Sequence, residues 1–266
     1  MSHEGELKIK VLGVRGSAPT SGKEMQEYGE ATSCLMIEAG GRTCFLDAGT
    51  GIMNAPDVGS DPVSIFITHP HLDHILGLPF LPHLFQEDHH IDLYARKQGE
   101  NTLQEEIDGV FCPPAWPCRI DAYPASVSTH DVTFPMMIGD MEIDGIESVH
   151  PGGGTVYKLS YHGKTVVYAT DYEYHEKTAE ALIAFAHNAD LLFFDGQYTE
   201  EEYEKRRGYG HSTVSQGLIV MEKANVKQMK VVHHDPRHTD LFLKKMEEKV
   251  KTERVSFARE GEVIQL

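Results

Sequence analysis

The chain has few cysteines, one tryptophan, no long apolar run and too few basic residues to balance its acids. Cys34, Cys44, Cys112 and Cys118 include no Cys-X-X-Cys pair. Free thiols in a cytoplasmic protein are therefore expected, with a bridge between Cys112 and Cys118 left open. The apolar runs are short, with four members at residues 191–194, far short of the roughly 18 that a membrane span needs. The first ten residues mix charges around no apolar stretch, which argues against a secretory signal. Lys and Arg number 24 against 41 Asp and Glu, a net charge of -17. That balance repels a phosphate backbone and argues against a broad polyanion-binding surface. A small anionic substrate is still allowed, because a bound cation can reverse the field locally. No low-complexity linker or short-period repeat interrupts the sequence, so residues 1–266 read as a single domain.

What is present is ordinary globular material with one excess. Hydrophobic residues at 40% and charged residues at 24% fit a packed core and rule out a chain disordered throughout. Strand patterns occur at 7–12, 33–38, 43–46 and 63–68, separated by Gly-containing turns, in a run expected to be mostly antiparallel. Cys34 and Cys44 fall in two of these runs, as small buried residues of a hairpin do. Further strands are expected at 141–149, 155–161, 165–169, 191–194 and 230–232. Helices are expected at 102–107, 178–188, 212–224 and 241–252, and a helix interrupted by Pro79 and Pro82 at 75–85. The pattern predicts an α/β domain with layered sheets. The excess is histidine, with 16 residues.

Seven of the charged or imidazole side chains fall into one pattern. Thr68-His69-Pro70-His71-Leu72-Asp73-His74 directly follows an apolar strand. His69 and His71 are two apart, so an extended strand end projects them to the same side. Asp73 and His74 follow at the start of the next segment. Four donors within six residues wrap a metal only with help from distant parts of the chain. His150, Asp171 and His233 each come just after an apolar run, as a site at a sheet edge requires. Seven donors, with one carboxylate shared, suit two divalent ions. Asp47 also ends an apolar run and is expected to support the site or cap a turn. His3, His83, His89 and His90 lie in polar surroundings and are expected at the solvated surface.

The His69–His74 motif resembles the signature of the metallo-β-lactamase fold, which implies an αββα sandwich with a metal site at one edge. The resemblance assigns His69, His71 and His150 to the first metal and Asp73, His74 and His233 to the second, with Asp171 bridging. Zn is the first expectation, with Mn or Fe as alternatives. The runs Leu12-Gly13-Val14-Arg15-Gly16-Ser17-Ala18-Pro19-Thr20, Phe45-Leu46-Asp47-Ala48-Gly49-Thr50-Gly51, Gly210-His211-Ser212-Thr213 and His233-His234-Asp235-Pro236-Arg237-His238 look like the tRNase Z and phosphodiesterase branch. That likeness implies that His211 contacts the reacting phosphate, with Asp195 standing where the branch usually has a glutamate. Aligning Pro236 with the branch's proline selects His233 over His234, which would then support the site or face substrate.

The expected reaction is dinuclear metal-dependent hydrolysis of a small phosphodiester by a metal-bound hydroxide. Asp73 would hold the attacking water's proton, and His211 would stabilise the phosphoryl oxygens or protonate the leaving oxygen. His211 could instead be a helix-entry residue beside a capping Ser212. Gly152–Gly154 either let backbone N–H groups approach a phosphate or simply form a hairpin turn. Residues 91–140 contain no Lys or Arg cluster of the kind that would grip tRNA, which favours cyclic nucleotides over an extended nucleic acid. Tyr198, Tyr203, Tyr209 and Trp116 are expected as core or as base-stacking surfaces. A homodimer is expected by analogy, with the Trp116 segment as a candidate contact. The competing readings are a tRNA 3′-processing endoribonuclease, a lactone or thioester hydrolase, and a non-catalytic nucleotide-binding sensor.

Overall fold

Apolar runs become strands wherever they can bury at least one face, and the described residues form fourteen strands. The computed structural model describes residues 6–58, 62–250 and 252–266, so His3 lies outside the described residues. The first sheet is built from β1 (Leu7–Gly13), β2 (Cys34–Ala39), β3 (Arg42–Leu46), β4 (Val63–Phe66), β5 (His90–Arg96) and β6 (Ser126–Val132), in that spatial order. The second holds β7 (Met136–Ile138), β8 (Met141–Glu147), β9 (Thr155–Tyr161), β10 (Lys164–Ala169), β11 (Leu191–Asp195), β12 (Gln228–Val232) and β13 (Val255–Phe257), again in order. β14 (Val263–Gln265) returns to the first sheet and pairs with β1. The helices are α1 (Leu72–Ile75), α2 (Leu103–Val110), α3 (Ala179–Phe185), α4 (Glu200–Lys205), α5 (Val214–Lys223) and α6 (Asp240–Glu247).

Three apolar layers hold these elements together. Between the sheets, Ile9, Ile37, Leu46 and Phe66 pack against Tyr157, Leu159, Val166 and Phe193. The outer face of the first sheet meets Ile75, Leu78, Leu103 and Ile107. The outer face of the second meets Leu182, Val220, Met221 and Leu243. Helices outside and two sheets inside make an αββα sandwich, as expected. Cys34 and Cys44 are buried on the β2–β3 hairpin, and all four cysteines are free thiols. Burial pushes the Cys44 thiol up to about 12, so it is inert at neutral pH.

The first sheet departs from the expected antiparallel run. β1, β2 and β3 are antiparallel, but β3, β4, β5 and β6 are parallel. The crossovers run through the 72–85 region and α2. Pro79 and Pro82 break the former into α1 and two short 3-10 turns rather than one helix. β5 alternates buried Ile91, Leu93 and Ala95 with half-buried polar neighbours. β6 is an edge strand with little apolar content, which is why the composition of its region hid it.

This topology positions the site. β3 and β4 are parallel, with Leu46 opposite Phe66. β10, β11 and β12 are parallel, with Ala169 opposite Phe194 and Asp195 opposite Val232. β8 runs in the same direction as β10, because each is antiparallel to β9. The carboxyl ends of β8, β10, β11 and β12 therefore share one edge, where open α/β sheets gather functional groups.

Candidate metal centre

Two loops in the first sheet come together through one buried carboxylate. Asp47 follows β3 and accepts from Thr68 N at 2.8 Å, from Thr68 Oγ1 at 2.9 Å and from His74 Nδ1 at 2.7 Å. These bonds fold the segment after β4 back on itself, so that His69, His71, Asp73 and His74 face one point. Asp47 thus supports the site, as the sequence indicated. Burial raises its pKa, although the His74 imidazole opposes that shift.

Two clusters of donors result. His69 Nε2 lies 2.8 Å from His71 Nδ1, which lies 3.2 Å from His150 Nε2. Asp73, His74, Asp171 and His233 form the second cluster, fully buried. His233 Nε2 is 3.1 Å from Asp73 Oδ2, and His74 Nε2 is 3.3 Å from the same oxygen. Asp171 turns one oxygen to each cluster. Its Oδ2 lies 3.0 Å from His74 Nε2 and 3.2 Å from His233 Nε2. Its Oδ1 lies 3.8 Å from the Nε2 atoms of both His69 and His150. All seven residues singled out in the sequence are brought together.

The far nitrogens of four rings are held, which fixes which nitrogen faces the site. His69 Nδ1 meets Thr68 Oγ1 at 3.0 Å, and His74 Nδ1 meets Asp47. His150 Nδ1 donates to Gly210 O at 3.0 Å, and His233 Nδ1 to Gln197 Oε1 at 2.9 Å. Gln197 in turn donates to Ser17 Oγ at 3.2 Å, while Ser17 N donates to Asp73 Oδ2 at 2.6 Å. Sequence reasoning missed Thr68, Ser17 and Gln197 in these roles. For Gln197 a signal existed, since it follows the apolar β11 by two residues. Asp47, Asp171 and His233 all sit in the left-handed region, with φ of 63°, 51° and 61°, a conformation that costs non-glycine residues about 1 kcal/mol.

Charge differs between the clusters. Burial, reinforced by neighbouring imidazoles, holds His69 well below its ordinary pKa, and burial also lowers His71 and His150. In the second cluster burial opposes protonation, but the carboxylates outweigh it. Asp171, Asp73 and Asp47 hold His74 well above the usual range, and Asp171, Asp73 and Asp195 hold His233 up at about 9. Asp73 and Asp171 are correspondingly kept ionised by His74 and His233 against the effect of burial.

His74 Nε2 is buried and makes no hydrogen bond despite its two carboxylate neighbours. Its orientation suits a shared point between the donors better than either oxygen. Three imidazoles in one cluster and a mixed imidazole–carboxylate set in the other fit divalent ions.

His211 borders both clusters. Its Nδ1 is 2.8 Å from Asp195 Oδ2, and its ring stacks on His233 with centroids 4.8 Å apart. Asp195 therefore holds His211 although it is shorter than the glutamate expected there. The residue capping α5 is Thr213, whose side chain accepts from Gln216 N. Ser212 Oγ instead donates to Tyr172 O and accepts from Tyr174 N. Gly152 and Gly153 have φ of 86° and 88°, and Gly153 N donates to His150 O, so these glycines form a turn.

Several expectations need correction. His234 neither supports the site nor faces substrate: it is buried, its Nε2 donates to Ala258 O, and burial pushes its pKa down to about 3. His233 leaves the strand in the left-handed conformation and turns its ring to the site, while His234 stacks on Phe257. His83 and His89 are buried against each other rather than solvated, with Val58 N donating to His83 Nε2. For Tyr198 and Tyr203 the core alternative holds rather than the stacking one, and Trp116 packs on Phe80 and Phe111. Tyr209 alone among the four singled out is largely exposed, at 62%. Among the described residues no helix is long and apolar enough to cross a membrane.

Known proteins give the same fold. A Ribonuclease Z from Methanosarcina acetivorans is 24% identical over 287 residues, covering 88% of this chain and 89% of the relative. Exclusion of an extended nucleic acid on charge alone therefore gains no support. The metallo-β-lactamase fold protein YhfI from Bacillus subtilis superposes with a TM-score of 0.73 at 19% identity, covering 99% of this chain and 100% of that one. A diphosphatase from the PhnP family superposes with a TM-score of 0.72 at 18% identity, covering 98% and 97%. Residues 42–234 match the family described as the beta-lactamase superfamily domain. With most of its length inside that match and its donors gathered at the sheet edge, the chain belongs to the β-lactamase superfamily and is a metal-dependent hydrolase of that fold.

Proposed function

We propose that this chain is a dinuclear metal-dependent phosphodiesterase acting on small phosphodiesters, with cyclic nucleotides in first place. His69, His71 and His150 would hold one ion, Asp73, His74 and His233 the other, and Asp171 both. Zn is the first candidate, with Mn or Fe as alternatives. Such ions supply Lewis acidity to the phosphoryl oxygens and lower the pKa of bound water.

The observation that carries the reading is His211. With Nδ1 committed to Asp195, its Nε2 is left to serve the reacting group. It stabilises a phosphoryl oxygen or passes a proton to the leaving oxygen as the P–O bond breaks. Asp73 would hold the proton of the attacking water. Tyr209, exposed next to Gly210, offers a planar group for a base. Free thiols accord with a cytoplasmic setting. The same reading includes a homodimer, with exposed Phe80 and Phe85 beside the Trp116 segment as the apolar surface to test.

A second reading, tRNA 3′ processing, is favoured by the ribonuclease Z relative. A single panel separates the two: 3′,5′-cyclic nucleotides, bis(p-nitrophenyl) phosphate, a pre-tRNA with a 3′ trailer, and an acyl lactone. Each is given to the metal-loaded protein and to the Asp73→Ala, His74→Ala double variant. Cyclic nucleotide turnover that vanishes in the variant supports the proposal. Trailer cleavage alone replaces it with the second reading, and lactone turnover alone removes His211 from its role. Nucleotide binding without turnover of any substrate points to a sensor.

A further inference from the structure

Glu173 is a buried carboxylate that the proposed chemistry does not use. It is 2% exposed, with His175 Nε2 3.9 Å from its Oε1. Its Oε1 accepts from Gly208 N at 2.7 Å and its Oε2 from Gly210 N at 2.9 Å, while Tyr203 OH lies 3.4 Å from Oε1. A carboxylate taken out of water survives only when its oxygens are satisfied, and here backbone amides of one loop do most of that. Its own backbone N donates to Val149 O at 2.8 Å, one residue before His150.

Glu173 therefore touches three segments at once. It lies two residues after Asp171, ties the chain just before His150, and clamps the 208–210 turn that leads into His211. The tie to His150 is also indirect: Gly210, held by Glu173, offers its carbonyl to His150 Nδ1 at 3.0 Å. The fit there is close. A Cβ on Gly210, whose φ is 91°, would lie 2.0 Å from His150 Nδ1, so only glycine allows that contact.

We propose that Glu173 is a positioning residue: by clamping the amides of Gly208 and Gly210 it aims the Gly210 carbonyl at His150, fixing that ring's tautomer and orientation, and sets the entry to His211. It acts on the second-sheet loops as Asp47 acts on the first-sheet loops. The inference rests on the site proposed above but not on which ester is cleaved.

The test uses Glu173→Gln, which keeps size but presents an NH2 group to one of the two amides. Glu176→Gln, on an exposed neighbour, serves as the control. Histidine-ring ¹⁵N spectra of the metal-free protein should show His150 as a single Nδ1–H tautomer in wild type and control, and as a mixture in Glu173→Gln. Metal affinity and kcat should fall about 10- to 100-fold with KM little changed, the range typical of groups that orient metal ligands. Unchanged tautomer and metal affinity in a folded variant would overturn the proposal. If the variant does not fold, wild-type hydrogen exchange decides. The Gly208 and Gly210 amides should exchange about 100-fold or more slowly than exposed loop amides, and fast exchange would overturn the clamp. Because tautomer, affinity and exchange are read without substrate, a failure of the phosphodiesterase reading leaves this result intact.

Discussion

The two donor clusters share a carboxylate and lie side by side, yet the pKa values of their histidines are shifted in opposite directions. His69, His71 and His150 are pushed toward neutrality by burial and by one another. His74 and His233 are pulled toward protonation by Asp73 and Asp171. The difference teaches that identical side chains prepare for a cation in two ways. The first cluster keeps free lone pairs. The second keeps protons as temporary counter-ions for carboxylates that could not otherwise be ionised at such close range.

The strongest way to break the comparison is to remove one cluster and ask whether the other stands. Asp73→Ala with His74→Ala should lower bis(p-nitrophenyl) phosphate turnover by about 10³-fold or more. Elemental analysis should find bound metal falling from two ions per chain to one, held by the three histidines. Loss of both ions would mean the clusters are a single unit. A smaller effect is expected at His211, which belongs to neither cluster. His211→Ala should cost about 10²- to 10³-fold in kcat while leaving metal content at two, and a fall in metal content would make it a ligand.

Asp47→Asn sharpens the contrast further, because Asp47 holds His74 directly but reaches His69 only through Thr68. Metal affinity should drop about 10- to 100-fold, measured by chelator competition, with the second ion lost first. The smallest effect concerns pH. An ion entering the second cluster must displace protons, including one from His233 with a pKa of about 9. Below that pH the apparent affinity weakens as pH falls, by about tenfold per unit for each proton displaced. The histidines of the first cluster lie below their ordinary pKa and are neutral already, so its affinity should stay flat down to about pH 6.5. Chelator titrations across this range should give two slopes, and one common slope would end the distinction.

Legibility followed the spacing of residues along the chain. His69, His71, Asp73 and His74 were readable because four donors crowd six positions after an apolar strand. His150, Asp171 and His233 were readable because each follows such a strand. His83 and His89 misled, since a loop rich in proline and acid can still be folded under other turns, and exposure is not carried by residue type. Gln197 and Glu173 stayed hidden for a different reason. Their partners are backbone amides or a ring nitrogen tens of residues away, and such contacts leave no local pattern. β5 and β6 were lost because parallel pairing across a crossover supplied the stability that their own composition lacks.

The left-handed backbone at Asp47, Asp171 and His233 has a consequence for anyone trying to improve this protein. Glycine would adopt that conformation without penalty and relieve about 1 kcal/mol of strain at each position. It would also delete a buried, hydrogen-bonded side chain, and at Asp47 the bonds that fold the segment after β4, a loss of about 1–3 kcal/mol for each partner left unsatisfied. Glycine there would therefore leave the protein neither hardier nor active. A library meant to keep activity should therefore hold these three codons fixed and look for robustness in places such as α6 and the exposed turns.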